Sequence, residues 1–168
     1  MKYIKKTVIG VSLLVSISSA NETNHNINIG LDSLHGDVKA DYGINLGYSY
    51  ILGDNWKYGI GTNIIIANGD GEIGDTFSID ARVGKEVFKD ITLYGFVGLS
   101  GMNTGYKNDS NDDEIADGMT YGIIGNYSIS KKYDLQVAYK TYNLEYKLNG
   151  IKNDFDVNSA SINFIYKF

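Results

Sequence analysis

No cysteine occurs in the 168-residue chain. That absence excludes a disulfide framework, a thiolate metal site, an iron–sulfur cluster and a cysteine nucleophile, and with them redox chemistry by the chain itself. Positive charge is also scarce: 15 Lys and Arg against 20 Asp and Glu leave a formal net charge of -5, with a pI near 4.9. A general affinity for nucleic acid needs basic surface to displace counterions from phosphates, so this balance argues against it. Only two histidines, His25 and His35, are present for acid–base chemistry that needs an imidazole. Past the first twenty residues no apolar run is long enough for a spanning helix, and helical i, i+3, i+4 spacing is poor throughout. Proline is absent too, whereas Gly (20), Tyr (14) and Phe (6) are plentiful. That pairing points to a β protein with many turns. An apolar content of 43% at modest net charge does not match the signature of disorder, and the length fits one folding unit.

The first twenty residues read as an address. Lys2, Lys5 and Lys6 precede the apolar stretch Thr7–Ile17, and Ser18-Ser19-Ala20 follows with small residues at the -3 and -1 positions of a cleavage site. This is the pattern of a secretory signal peptide over 1–20. A membrane-anchoring helix would need about 20 apolar residues, and Asn21-Glu22-Thr23-Asn24 arrives too early. The expected mature unit is a single domain, 21–168.

From there the pattern has a period of two. Ile27, Ile29 and Leu31 oppose Asn28, Gly30 and Asp32; Tyr42 through Leu52 alternates with Gly43, Asn45, Gly47 and Ser49; Trp56, Tyr58, Ile60, Ile64 and Ile66 oppose Lys57, Gly59, Gly61 and Asn63. Phe77, Ile79, Ala81 and Val83 alternate with Ser78, Asp80, Arg82 and Gly84, and Ile91–Met102 is apolar on both faces, which leaves its orientation unassigned. Three more segments follow, around Tyr121–Ile129, Tyr133–Lys140 and Ala160–Phe168. Alternation over such lengths marks strands, eight in all. Tight turns at Gly53-Asp54-Asn55, Lys85–Asp90 and Ser130-Lys131-Lys132 alternate with longer polar connections near 35–41, 68–75, 105–118 and 149–156. That describes an up-and-down meander. An open sheet of eight strands would be an aggregation hazard, so closure into an antiparallel barrel is expected.

Periodicity alone does not say which face is dry, since soluble and bilayer barrels both alternate. The apolar face here is bulky. Tyr50, Trp56, Tyr58, Phe88, Tyr127, Tyr133, Tyr166 and Phe168 sit beside the short turns, and a looser set, Tyr42, Phe77, Tyr106, Tyr121 and Tyr142, lies toward the long connections. Two aromatic belts around an aliphatic band match the two interfaces of a bilayer. The other face carries Asp32, Lys57, Asp80, Arg82, Lys140 and Lys167 among many Asn and Ser, a poor lining for an apolar ligand. The reading is therefore an all-β, eight-stranded transmembrane barrel, since only a closed sheet satisfies every backbone group in lipid.

Phe164, Tyr166 and Phe168 then place aromatics on one face of the last strand, with Phe168 at its end. Here the sequence resembles the small bacterial outer-membrane β-barrels, the OmpX-like proteins and the OmpA membrane domain. The resemblance implies residence in the outer membrane of a Gram-negative bacterium, contact with lipid and lipopolysaccharide, and reading of Phe164, Tyr166 and Phe168 by the outer-membrane assembly machinery. It implies no reaction and no cofactor, and a monomer is expected. It also places the long connections outside the cell, where Asp109, Asp112, Asp113, Glu114 and Asp117 form an acidic cluster. Such acids either keep loops soluble or contact a basic partner, an extracellular protein or a host surface. Asp109, Asn111 and Asp113 imitate a calcium loop, but Glu114 and Thr120 stand where that loop needs Gly and a bidentate acid.

Three functions are ranked from these residues. A structural or surface-interaction role in adhesion or envelope integrity comes first. An ion-conducting pore comes second, because eight strands enclose a lumen that side chains can fill; Asp32, Lys57, Asp80, Arg82, Lys140 and Lys167 are expected to meet there as paired charges. A lipid-modifying enzyme is third. His35 with Asp75 and Ser33 or Thr76 resembles, faintly, the loop-borne residues of outer-membrane palmitoyltransferases, but the amino-terminal amphipathic helix of those enzymes is absent.

Overall fold

The computed structural model describes residues 24–36, 41–68, 73–107, 113–148 and 151–168; the expected signal peptide lies outside them. Eight strands form in chain order: β1 (His25–Gly36), β2 (Asp41–Leu52), β3 (Trp56–Asn68), β4 (Ile73–Phe88), β5 (Ile91–Lys107), β6 (Asp113–Ser128), β7 (Tyr133–Leu148) and β8 (Ile151–Lys167). Each pairs antiparallel with its sequence neighbours, and β1 closes on β8. Register follows hydrophobic pattern: Ile29 faces Leu46 on one side and Phe164 on the other, and Leu31 faces Ile44 and Ile162. A slip of one residue would turn these apolar rows inward and the amides outward, so the pattern itself pins the pairing.

Burial is inverted relative to a water-soluble protein. Leu31, Leu99 and Ile123 are each more than 60% exposed on the outer surface, while Asp32, Asn45 and Asp80 are below 5% within. Exposed apolar area on this scale marks a lipid-facing surface. Strand length agrees. At ~3.3 Å per residue and a tilt of ~40°, β1 with 12 residues rises about 30 Å, the thickness of a hydrocarbon core. By the same arithmetic the 16 or 17 residues of β4 to β8 rise roughly 10 Å more.

The contrast between short turns and long connections does not survive. Residues 105–107, 113–118 and 151–156 belong to strands, as do Asp41, Asp75 and Lys85–Phe88. Beyond the lipid the outward face meets water and carries acids such as Asp117, Glu145 and Asp154, while Ala116 and Leu144 are buried within, so the apolar-out alternation reverses although the hydrogen-bond ladder continues. At the inner end the chain reverses through Gly53, with φ of 94°, and Asp90, with φ of 69°. Positive φ costs glycine nothing and Asp little.

Parity decides two further points. On β5 the even residues Thr92, Tyr94, Phe96, Ser100 and Met102 point inward and Leu93, Val97 and Leu99 outward, which assigns the strand the sequence left open. Tyr142, expected in the outer aromatic belt, is instead fully buried in the interior. Because β7 runs unbroken from Tyr133 to Leu148, Tyr142 shares the inward face of Asp134, Gln136, Ala138 and Lys140. The other belt residue in doubt, Tyr106, has a side chain outside the described set.

Candidate functional site: the lumen and an outer rim

The interior is layered along the barrel axis. At the inner mouth a polar cavity of about 190 Å³ is lined by Asn26, Lys57, Thr92, Tyr94, Asp134 and Lys167, among others. Lys167 Nζ donates to Asp134 Oδ1 at 2.6 Å, and Asn163, Gln136 and Asn126 continue as a chain of amide hydrogen bonds of 3.0 and 3.1 Å. Tyr94, Phe96, Ile124 and Ala138 pack above this mouth, with Ile51 against them.

A polar belt comes next. Arg82 Nε and Nη2 donate to the two Asp80 oxygens at 2.5 and 3.0 Å, a bidentate pair with both side chains at most 5% exposed; Asn63 Nδ2 adds a longer bond to Asp80. Planar forks of this kind match carboxylate geometry. Gly61 makes room for it: a Cβ there would lie 2.0 Å from Arg82 Nη2. Asp32 accepts instead from neutral donors, Asn45 Nδ2 at 2.6 Å and the Ser159 hydroxyl. Lys140 is buried with them, and its Nζ has no hydrogen-bond partner among the described residues; nor do Ser100 Oγ, Thr120 Oγ1 and Tyr142 OH.

Two residues further outward the lumen turns apolar on β1, β3, β5, β7 and β8. Leu34 follows Asp32, Ile65 follows Asn63, Met102 follows Ser100, Tyr142 follows Lys140, and Val157 precedes Ser159. With Ala116 and Leu144 they form one cluster, nearly all of it 0% exposed. Tyr146 and Phe155 cap it in an edge-to-face contact with centroids 5.7 Å apart. Fully burying each large apolar side chain contributes about 1.5–3 kcal/mol.

The six lumen residues expected from sequence all point inward, but they do not meet as one network. Asp80 and Arg82 pair; Asp32 and Lys140 share their belt without an ion pair; Lys57 and Lys167 lie at the inner mouth, where Lys167 takes Asp134. The reason is the two intervening apolar residues of β5, Tyr94 and Phe96, which separate belt from mouth. Sequence reasoning set Asn45 and Asp134 on the polar face without naming them as partners of these charges, and left out Ser159, which strict parity along β8 would have placed inside. Phe164 and Tyr166 face outward, the first stacked on Tyr133 at 5.4 Å and the second tilted against it at 5.6 Å, and Phe168 stacks on Tyr166 and His25. His35 and Asp75 stand on β1 and β4 with two strands between them, and Thr76 points inward. No hydrogen bond joins these three with Ser33 among the described residues.

At the outer rim, Asp109 and Asp112 lie outside the described residues; Asp113 and Glu114 begin β6, but their side chains do not belong to the described set. Asp117 is exposed on the outward face, directly opposite Glu145, which is directly opposite Asp154. Lys152 Nζ donates to Glu145 Oε2 at 2.5 Å, which holds the lysine above its ordinary pKa, and Asn143 Nδ2 donates to Asp156 at 2.6 Å. Among the described residues no group of three or more His, Cys, Asp or Glu is placed to hold a metal ion.

A family model described as the outer membrane protein beta-barrel domain matches residues 7–168. The chain belongs to that family. This outer-membrane barrel therefore resides in the outer membrane of a Gram-negative bacterium, its apolar exterior set against acyl chains. A search of curated protein sequences finds no match. Among solved structures it is similar in fold to Ail, the attachment invasion locus protein of Yersinia pestis, at 17% identity and a TM-score of 0.61, covering 88% of this chain and 100% of that one. Ail in complex with the heparin analogue sucrose octasulfate aligns at 18% identity and 0.59, over 86% and 97% of the two chains. Neisserial surface protein A aligns at 12% identity and 0.59, over 86% and 96%.

Proposed function

We propose that this outer-membrane barrel serves the envelope as a structural and surface-interaction protein, engaging an extracellular partner through its projecting outer rim, and that it neither conducts nor catalyses. The observation that carries this reading is the apolar layer of Leu34, Ile65, Met102, Tyr142 and Val157, each at most 1% exposed. A lumen filled in this way offers ions no hydrated route, so the surface left for function is the wall that β4 to β8 raise above the lipid. The Asp80–Arg82 pair and the amides beneath it act as an internal plug that fixes the cross-section. The separation of His35 from Asp75 supports the non-enzymatic reading. Phe164, Tyr166 and Phe168 are assigned as the recognition strand for the assembly machinery. Lipid and lipopolysaccharide contact the exterior of a monomer.

Ail's complex with a polysulfated sugar does not transfer. Asp117, Glu145, Asp154 and Asp156 line the rim here, and acids repel a polyanion, so the partner is cationic. Planar-bilayer recording of the refolded protein is expected to stay silent, and cells displaying a variant with Asp117, Glu145, Asp154 and Asp156 replaced by the corresponding amides are expected to lose adhesion while keeping barrel levels. Steady unitary conductance from the wild type, or undiminished adhesion by the amide variant, would overturn the proposal.

A further inference from the structure

The lipid-facing ladder of β3 and β4 ends at the inner interface on a cation. Ile60 faces Ala81, Tyr58 faces Val83 and Trp56 faces Lys85, each pair directly opposite across the two strands. Lys85 Nζ lies over the Trp56 ring, 5.3 Å from its centroid, so indole and ammonium share the level at which acyl chains give way to headgroups. Just beyond, the pairing of β4 with β5 shifts register between Glu86 and Phe88. A bulge re-aims the side chains around it. Phe88 comes to lie opposite Ile91 and stands 71% exposed, with Val87 at 43%.

Val87 and Phe88 form one wall of an open groove of about 630 Å³, whose other lining residues include Asp54, Lys57, Glu86 and Lys89. It lies between the turn that joins β2 to β3 and the turn that joins β4 to β5. Two lysines stand with two acids, so its charge is balanced. Among the described residues none of the four enters an ion pair; the pairs formed are Arg82–Asp80, Lys152–Glu145 and Lys167–Asp134. A simple anion would meet the two carboxylates and a simple cation the two lysines, whereas a molecule that carries both charges complements all four. The exposed phenyl at the lipid edge asks in addition for an apolar tail. A primary ammonium donates hydrogen bonds to carboxylates; a trimethylated one has no N–H to give.

We propose that this groove seats the headgroup of a phospholipid that carries a primary amine, a phosphoethanolamine lipid. The phosphate lies between Lys57 and Lys89, the ammonium turns to Asp54 and Glu86, and the acyl chains run along the wall past Phe88 and Val83. The groove is at the end of the barrel away from the acidic rim. It stands apart from the surface-interaction reading, and either can fail without the other.

The test is native mass spectrometry of the full barrel released from nanodiscs that hold equal amounts of phosphatidylethanolamine, phosphatidylcholine and phosphatidylglycerol with matched acyl chains. The ethanolamine lipid is expected to stay bound in preference to the other two. K89Q should lower its retention about threefold, the scale of a solvent-exposed ion pair. E86Q should lower it to a similar extent while phosphatidylglycerol retention does not fall, because only the ammonium has lost a partner. K131Q, which removes a lysine from the turn between β6 and β7, should change nothing, and the heat-modifiable gel shift of each variant reports a folded barrel. Equal retention of the three lipids, or preference for phosphatidylglycerol, would refute a zwitterion site. A loss in K131Q as large as in K89Q would reduce the effect to general charge attraction and overturn the groove as its location. Displacement of the bound lipid by an equal concentration of phosphoethanolamine without acyl chains would overturn the lipid as occupant.

Discussion

Arg82→Met and Lys140→Met remove the same charge from the same buried belt, yet the structure predicts very different costs. Arg82 gives Asp80 two hydrogen bonds, at 2.5 and 3.0 Å. Replacing it leaves a carboxylate at most 5% exposed with one long bond from Asn63, and breaking a buried pair from one side costs about 3–5 kcal/mol. Lys140 makes no hydrogen bond among the described residues, and Asp32 nearby is already served by Asn45 and Ser159. Its replacement by an apolar side chain of similar length is expected to change stability by within about 1 kcal/mol, because the ammonium's own desolvation is relieved as its Coulomb attraction is lost. Adding K140M to R82M removes the last cation from beside Asp32 and Asp80, so the double variant is expected to cost more than the two singles summed. The assay is reversible urea unfolding of the refolded barrel in lipid vesicles, followed by emission of the lone Trp56 and by the heat-modifiable gel shift. Equal losses for the two single variants would refute the assignment of Arg82 as the partnered cation and Lys140 as the unpartnered one.

Gly61→Ala places a methyl 2.0 Å from Arg82 Nη2 and is expected to cost about 1–3 kcal/mol by overpacking. In the R82M background most of that cost should vanish, and an unchanged penalty in the double-mutant cycle would show that Gly61 serves something other than the guanidinium. Met102→Ala is expected to lose about 2–5 kcal/mol through the cavity it leaves while bilayer recordings stay silent, because Leu34, Tyr142 and Val157 still close the layer; channel openings in that variant would mean the seal hangs on a single side chain.

The sequence alone determined the strand count, the closed topology and the sidedness, because period-two alternation in a bilayer barrel is written in side-chain chemistry: Ile29, Leu31 and Ile44 must meet lipid, and Asp32, Asn45 and Asp80 must not. It also named every inward charge of the belt. What it did not carry was the vertical order of the lumen. Tyr94, Phe96, Met102 and Tyr142 are apolar or aromatic residues that face inward, and residue type cannot distinguish an aromatic seal from an aromatic belt; only the unbroken parity of β5 and β7 does. Nor did it carry the rim. Where strands leave the membrane the outward face turns acidic and the inward face, with Ala116 and Phe155, turns apolar, so the lipid-facing alternation is lost and 113–118 and 151–156 look like loop although the ladder persists. The placement of Asp117, Glu145 and Asp154 in one row comes from the register between β6, β7 and β8, and no single run of residues encodes it.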